Sequence, residues 1–218
     1  MRAKQLEILN LKNNPRMASK VSTIIYNLAF SPKIRHINLS DLGSSNAEMA
    51  EAVMKLIKIS GAIETLILRN TKVEAYLTQE FYMALGENKT LKYLNLDTST
   101  AVTSSANIQL LGKAVAMNAY RNGALEGISI MSWFSTFLRF KNFYCAMMMS
   151  EKDHEVWYGD KKLANEMEKD QLVAKFHCNL KFLSVAGSKI GGFGHNFKKI
   201  LKMTTQEWPR LLELGTKL

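Results

Sequence analysis

The chain has 218 residues and a formal net charge of +10, with 47% apolar residues, 22% charged residues, three prolines and two cysteines. That is long enough to bury a core as one large domain or two small ones, and the balance is that of a folded chain, not a disordered one. Two cysteines, Cys145 and Cys178, outside any CxxC pair exclude a disulfide framework and imply a reduced, intracellular protein, while the charge calls for acidic partners or simply a solvated basic face.

The N-terminal "MRAKQLEILNL" holds no apolar signal core, so no secretory or transit leader is expected. It leads at once into Leu6, Leu9 and Leu11, at offsets 0, 3 and 5. The last two have the period of a strand. The same spacing returns at Ile34, Ile37 and Leu39, then at Ile63, Leu66 and Leu68, then at Leu91, Leu94 and Leu96. Leu125, Ile128 and Ile130 follow, and Leu180, Leu183 and Val185 form the last clear copy. The starts lie 28, 29, 28, 34 and 55 residues apart. The longest gap is close to two repeats, and a degenerate copy at 153–159, with Val156 and Tyr158, divides it.

Helical patterns separate these strands. "NAEMAEAVMKLIKIS" puts Met49, Val53, Leu56 and Ile57 on one face. "YLTQEFYMALGENK" does so with Leu77, Phe81, Ala84 and Leu85, and Gly86 marks its expected C-terminus. Ile108, Leu111 and Val115 form the next stripe, which Asn122-Gly123 stops, and "DKKLANEMEKDQLVAKFHCN" reads as a further helix. The most apolar stretch, 133–149, includes Trp133, Phe134, Phe137, Leu138, Phe140, Phe143 and Tyr144. It contains Arg139 and Lys141 and is shorter than the roughly 20 apolar residues of a membrane span. It offers more apolar surface than one helix of a repeat needs, which fits either a contact surface or core filling around an irregular unit.

Each unit is thus strand, turn, helix, turn in about 28 residues. One unit cannot bury its own apolar side, so units must stack, with strands in parallel on one face and helices on the other. Helices are wider than strands, so the stack must curve with its strands inside. The unit "LKYLNLDTS" and its 28/29 alternation resemble the leucine-rich repeat of the ribonuclease-inhibitor type. The resemblance covers residues 6–133 well and 153–207 loosely. It implies an α/β leucine-rich-repeat solenoid with a concave parallel sheet and convex helices. The expected organisation is one domain over 1–218 with seven to eight repeats, irregular at 133–160. The family places Asn or Cys at the ninth motif position, where it bonds backbone in the turn. Here only Asn14 matches, and Leu42, Thr71, Ser99, Trp133, Lys161 and Ser188 take the other places.

The resemblance also implies protein recognition more than chemistry. Alternation puts Asn38, Arg69, Tyr93, Asn95, Asp97, Trp157 and Phe182 on the inner face, and these are the candidate partner-binding residues. Trp, Tyr and Arg dominate interface energetics. Nothing polar caps the first strand, and "WPRLLELGTKL" closes the chain, so a longer array or a capping subunit is expected.

No catalytic, cofactor or metal constellation emerges. His177-Cys178 are helix neighbours that point apart. His36, His154, His177 and His195 lack ligand spacing, and "GSKIGGFGHN" lacks the GK[ST] of a phosphate loop. The expected function is a non-catalytic scaffold or adaptor that joins other protein subunits, with acidic surfaces, in a large intracellular assembly. A cytoplasmic, cytoskeletal or ciliary axoneme setting fits best. The alternatives are an RNA- or ribonucleoprotein-associated subunit and a small-GTPase regulator.

Overall fold

A computed structural model describes residues 5–43, 46–98, 104–148 and 180–185. Six three-residue strands form one parallel sheet in chain order: β1 (Ile8–Asn10), β2 (His36–Asn38), β3 (Thr65–Ile67), β4 (Tyr93–Asn95), β5 (Gly127–Ser129) and β6 (Phe182–Ser184). Helices α1 (Ala18–Leu28), α2 (Ala47–Ile59), α3 (Gln79–Glu87), α4 (Ser105–Tyr120) and α5 (Phe137–Met148) follow the first five strands. Each helix packs on the next. The architecture is α/β, with one layer of strands and one of helices.

The strands pair in the register of the leucine pattern. Leu9, Ile37, Leu66, Leu94, Ile128 and Leu183 stand opposite one another along the sheet. They join the helical stripes in a single core. Met49, Val53, Leu56 and Ile57 are buried as their spacing predicts, as are Ile108, Leu111 and Val115. Leu77 is buried too, but it precedes α3, whose N-cap is Thr78. Gly86 lies inside the last turn of α3 and does not end it. Its missing side chain admits α4, because a Cβ there would come within 3.1 Å of the Met117 Cβ.

The apolar stretch after Trp133 fills the core. Trp133, Phe134, Phe140, Phe143 and Met147 are all buried. Phe134 meets Phe140 edge-to-face, with ring centroids 5.3 Å apart. Of the two readings of this stretch, these side chains take the core one. Gly112 lets α5 lie directly on α4, since a Cβ there would collide with the Phe143 carbonyl oxygen.

Two polar ladders bracket the strands. Where strands turn toward helices, Asn13, Asp41, Asn70 and Ser132 adopt φ near +60°, a region that Asn and Asp tolerate best. The Asn14 amide donates to the Leu11 and Lys12 carbonyls there. At the equivalent position the Thr71 hydroxyl donates to the Leu68 carbonyl at 2.7 Å. The buried Trp133 indole N–H reaches across to the Leu96 carbonyl at 2.7 Å. The expected turn bond is therefore kept at 71 and 133 by different donors.

Where helices return to strands, Asn88 accepts from the Thr90 and Leu91 N–H groups and donates to the Ile57 carbonyl one unit back. Asn118 accepts from the Leu125 N–H and donates to the Leu85 and Asn88 carbonyls. Ser60 accepts from Ala62 and Ile63. These three residues carry backbone groups that burial would otherwise leave unpaired.

A charge ladder runs along the strand starts. Successive units place Glu7, Arg35, Glu64, Lys92, Glu126 and Lys181 at one motif position, with alternating sign. Glu64 pairs with Arg35 on one side and with Lys92, at 2.9 Å, on the other. Lys181 pairs with Glu126 at 2.8 Å. Opposite charges on paired strands favour this order and register. The Lys92 and Arg35 hydrogen bonds hold the Glu64 carboxyl below its usual pKa of 4.5. A carboxyl with a lowered folded pKa contributes stability above its unfolded pKa and loses it as pH falls through the folded value. Glu64→Gln should therefore lower the melting temperature at neutral pH. The gap from wild type should close as acid titrates Glu64. Equal gaps at pH 7 and at pH 2.5 in paired melts would refute this role.

Candidate binding face of the sheet

Residues on either side of each strand's central apolar residue point away from the helices. Among the described residues no helix covers that side. Parallel sheets are normally covered on both faces, so the open side is the exceptional surface of this fold.

Three rows cross it. The first runs Ile8, His36, Thr65, Tyr93, Gly127, Phe182, and the second Asn10, Asn38, Ile67, Asn95, Ser129, Ser184. Just past the strands lie Lys12, Ser40, Arg69, Asp97 and Met131.

In the first row Gly127 separates two aromatic residues. It is buried although it lies on the open side. A Cβ there would sit 2.7 Å from the Tyr93 ring, so Tyr93 lies across the glycine. The ring meets Phe182 with centroids 6.0 Å apart and planes tilted by 47°. Phe182 is still 39% exposed and Tyr93 is half-buried. The glycine thereby joins two rings, two strands apart, into one apolar patch.

The asparagines behave differently. Asn10, Asn38 and Asn95 each accept, through the side-chain carbonyl, from the N–H two residues on, at 3.1, 3.0 and 2.9 Å. This Asx geometry closes the strand end. Asn38 also accepts from the Ser40 hydroxyl, and Asn95 donates to Asp97. Asp97 is only 5% exposed. Its carboxylate accepts from the Ser129 hydroxyl at 2.6 Å, the Met131 N–H at 2.8 Å and the Asn95 amide. Asn95 and Asp97, expected as contact residues, thus have their polar groups engaged within the chain, as does the side-chain carbonyl of Asn38. Alternation gave them the correct side, but it does not reveal whether a polar group is already spent.

Arg69, Tyr93 and Phe182 are the predicted residues that remain presented. Arg69 is exposed, and among the described residues its guanidinium makes no ion pair. Trp157, the fourth residue of interface type, lies outside the described residues, as do the degenerate repeat at 153–159, His177-Cys178 and the glycine-rich 187–196. Gly127 was missed as a site residue. Its signal was a glycine at a motif position that holds a side chain in every other clear copy.

The outer surface of the helices also exposes Tyr26 and Phe30. There the Lys55 ammonium already sits 3.7 Å from the Tyr26 ring centroid. Between α3 and α4 a cleft of about 250 Å³ is lined by Tyr82, Met83, Leu110 and Met117. The Tyr82 hydroxyl is buried without a hydrogen-bond partner among the described residues, and that burial, reinforced by Glu74, pushes its pKa far up. Among the described residues no three His, Cys, Asp or Glu side chains converge on a metal-sized site, and no helix is long and apolar enough to cross a membrane.

No model of a known protein family matches the chain, and the comparison with curated proteins found no match.

Proposed function

We propose that the chain is a leucine-rich-repeat solenoid of the ribonuclease-inhibitor type, and that it is a non-catalytic scaffold binding other protein subunits on its open, concave sheet face. The observation that carries this reading is the Tyr93–Phe182 patch closed over Gly127. A rigid, partly exposed aromatic pair on a sheet backbone can bind with little ordering cost. The recurring 28- and 29-residue offsets between paired strands support the solenoid. The net charge of +10 supports partners with acidic surfaces inside the cell, and a cytoskeletal or ciliary assembly is the setting we favour.

The test is native purification of the tagged chain from its own cells, alongside a variant carrying Tyr93→Ser and Phe182→Ser. Truncating one aromatic anchor typically costs about 2 kcal/mol, or roughly 30-fold in affinity. Wild type should retain a fixed set of proteins through high salt, and the variant should lose them. Equal retention by both would sink the proposal. Partners released by nuclease would favour the ribonucleoprotein alternative.

A further inference from the structure

The described acids within the sheet and its turns are engaged, apart from Glu7, exposed at the start of β1, which has no ion pair among the described residues, whereas three basic groups on the face are without an acidic partner. Asp97 is consumed by Ser129, Met131 and Asn95. Asp41, in the adjoining turn, accepts from the Asn70 amide at 2.8 Å. At the strand starts Arg35 and Lys92 share Glu64, and Lys181 pairs with Glu126. Lys12 and Arg69 are exposed, His36 is half-exposed, and none of the three has an ion-pair partner among the described residues. The face therefore divides. Unpaired basic groups lie on the β1–β3 side and the aromatic patch lies on the β4–β6 side.

We infer that the segment bound here is an acidic stretch of protein carrying one aromatic or aliphatic anchor. The inference rests on the reading of the open face as a protein-binding surface and adds the chemistry of what it binds. The anchor packs on Tyr93 and Phe182, and the carboxylates meet Arg69 and Lys12. Arg69 lies just past β3, the strand next to Tyr93, four residues on from the Thr65 that pairs with Tyr93. Strand spacing near 4.8 Å and a rise near 3.3 Å per residue put the two about 14 Å apart. That is the reach of roughly four to five extended residues. Complementary charge of this kind sets register and speeds encounter.

Single-stranded RNA also seeks basic groups and aromatic rings. It needs ring faces on which successive bases stack, however, and here the two rings lie against each other. The three basic groups are dispersed over three strands and do not form a continuous stripe. Protein is the better match.

The experiment uses the full 218-residue chain. A phage-displayed library of random 16-residue peptides is panned on wild type, after subtraction on the Tyr93→Ser, Phe182→Ser variant. An enriched peptide is then synthesised and its binding followed by fluorescence anisotropy at low and high salt, with a 20-nucleotide oligouridylate in parallel. We expect enriched peptides to carry an apolar anchor with two or more acids four to six residues away. Lys12→Glu with Arg69→Glu should weaken binding tenfold or more and abolish its salt dependence. The milder pair Lys12→Gln with Arg69→Gln should fall between, which guards against a folding defect in the charge reversal. Enriched peptides that need Tyr93 and Phe182 but lack acids would overturn the acidic segment while leaving the face reading intact. No peptide distinguishing wild type from the aromatic variant would overturn the face reading itself. Oligouridylate binding tighter than any peptide, and lost on the charge reversal, would overturn the choice of protein over RNA.

Discussion

Trp133→Ala should destabilise the protein by about 4 kcal/mol, the usual cost of deleting a large buried aromatic. At this chain length that lowers the melting temperature by about 10 °C. The indole is fully buried, and its N–H is bonded to the Leu96 carbonyl of the preceding unit. The substitution therefore opens a cavity and strips a buried acceptor together. Trp133→Phe separates the two effects. It keeps most of the volume and leaves the carbonyl unpaired, which should cost about 1–3 kcal/mol. Urea unfolding of the three proteins reads both values. A phenylalanine variant as stable as wild type would mean that the bond to Leu96 contributes nothing, and that Trp133 stands at the turn position only for its bulk.

Asn118→Ala is the second large effect, about 3 kcal/mol. The side chain is 1% exposed and satisfies the Leu85 and Asn88 carbonyls and the Leu125 N–H. Alanine leaves the Asn88 carbonyl and the Leu125 N–H without the partner they have now, and leaves the Leu85 carbonyl only the long 3.4 Å bond from the Asn88 N–H; each unmet group costs about 1–3 kcal/mol before relaxation. Gly123 adds to the constraint. A Cβ there would overlap the Asn118 amide, so the glycine is what admits this side chain. Asn118→Asp has nearly the same shape but turns a carboxylate on two carbonyl oxygens. At neutral pH it should be at least as damaging as alanine, and it should recover partly in acid, where the protonated form can donate again. Hydrogen exchange at the Leu125 amide, combined with denaturant melts at two pH values, checks both claims. An aspartate variant whose stability falls steadily with acid would contradict this account.

Much of the fold was legible because burial leaves a period. Leu66 and Leu94 face a neighbouring strand and a helix at once, so they had to be apolar at fixed offsets, and those offsets recur in the chain. The side assigned to Asn38, Tyr93 and Phe182 follows from the same alternation. Less visible was the polar bookkeeping. Asn88 lies just past the end read for its helix and Asn118 inside a helical stretch, and the three carbonyls to which they donate lie about 30 residues away. The alternating charges from Glu7 to Lys181 stood in plain view, but their meaning depends on strands lying side by side in register. Thr71 and Trp133 looked like failures of the turn position. In space they are two further ways of donating into the same gap.

By itself the sequence determined the positions of the six described strands and the apolar faces of α2, α3 and α4, since each follows from apolar spacing within one unit. The tertiary structure alone decided which polar groups remain free. Asp97 is lost to recognition because Ser129 and Met131 reach it from the next strand. Tyr93 and Phe182 become a single patch because the strand between them offers only Gly127. Local spacing records what each residue must bury. Whether a hydrogen-bonding group or a ring is already taken depends on the atoms of neighbouring units, which only packing brings within reach.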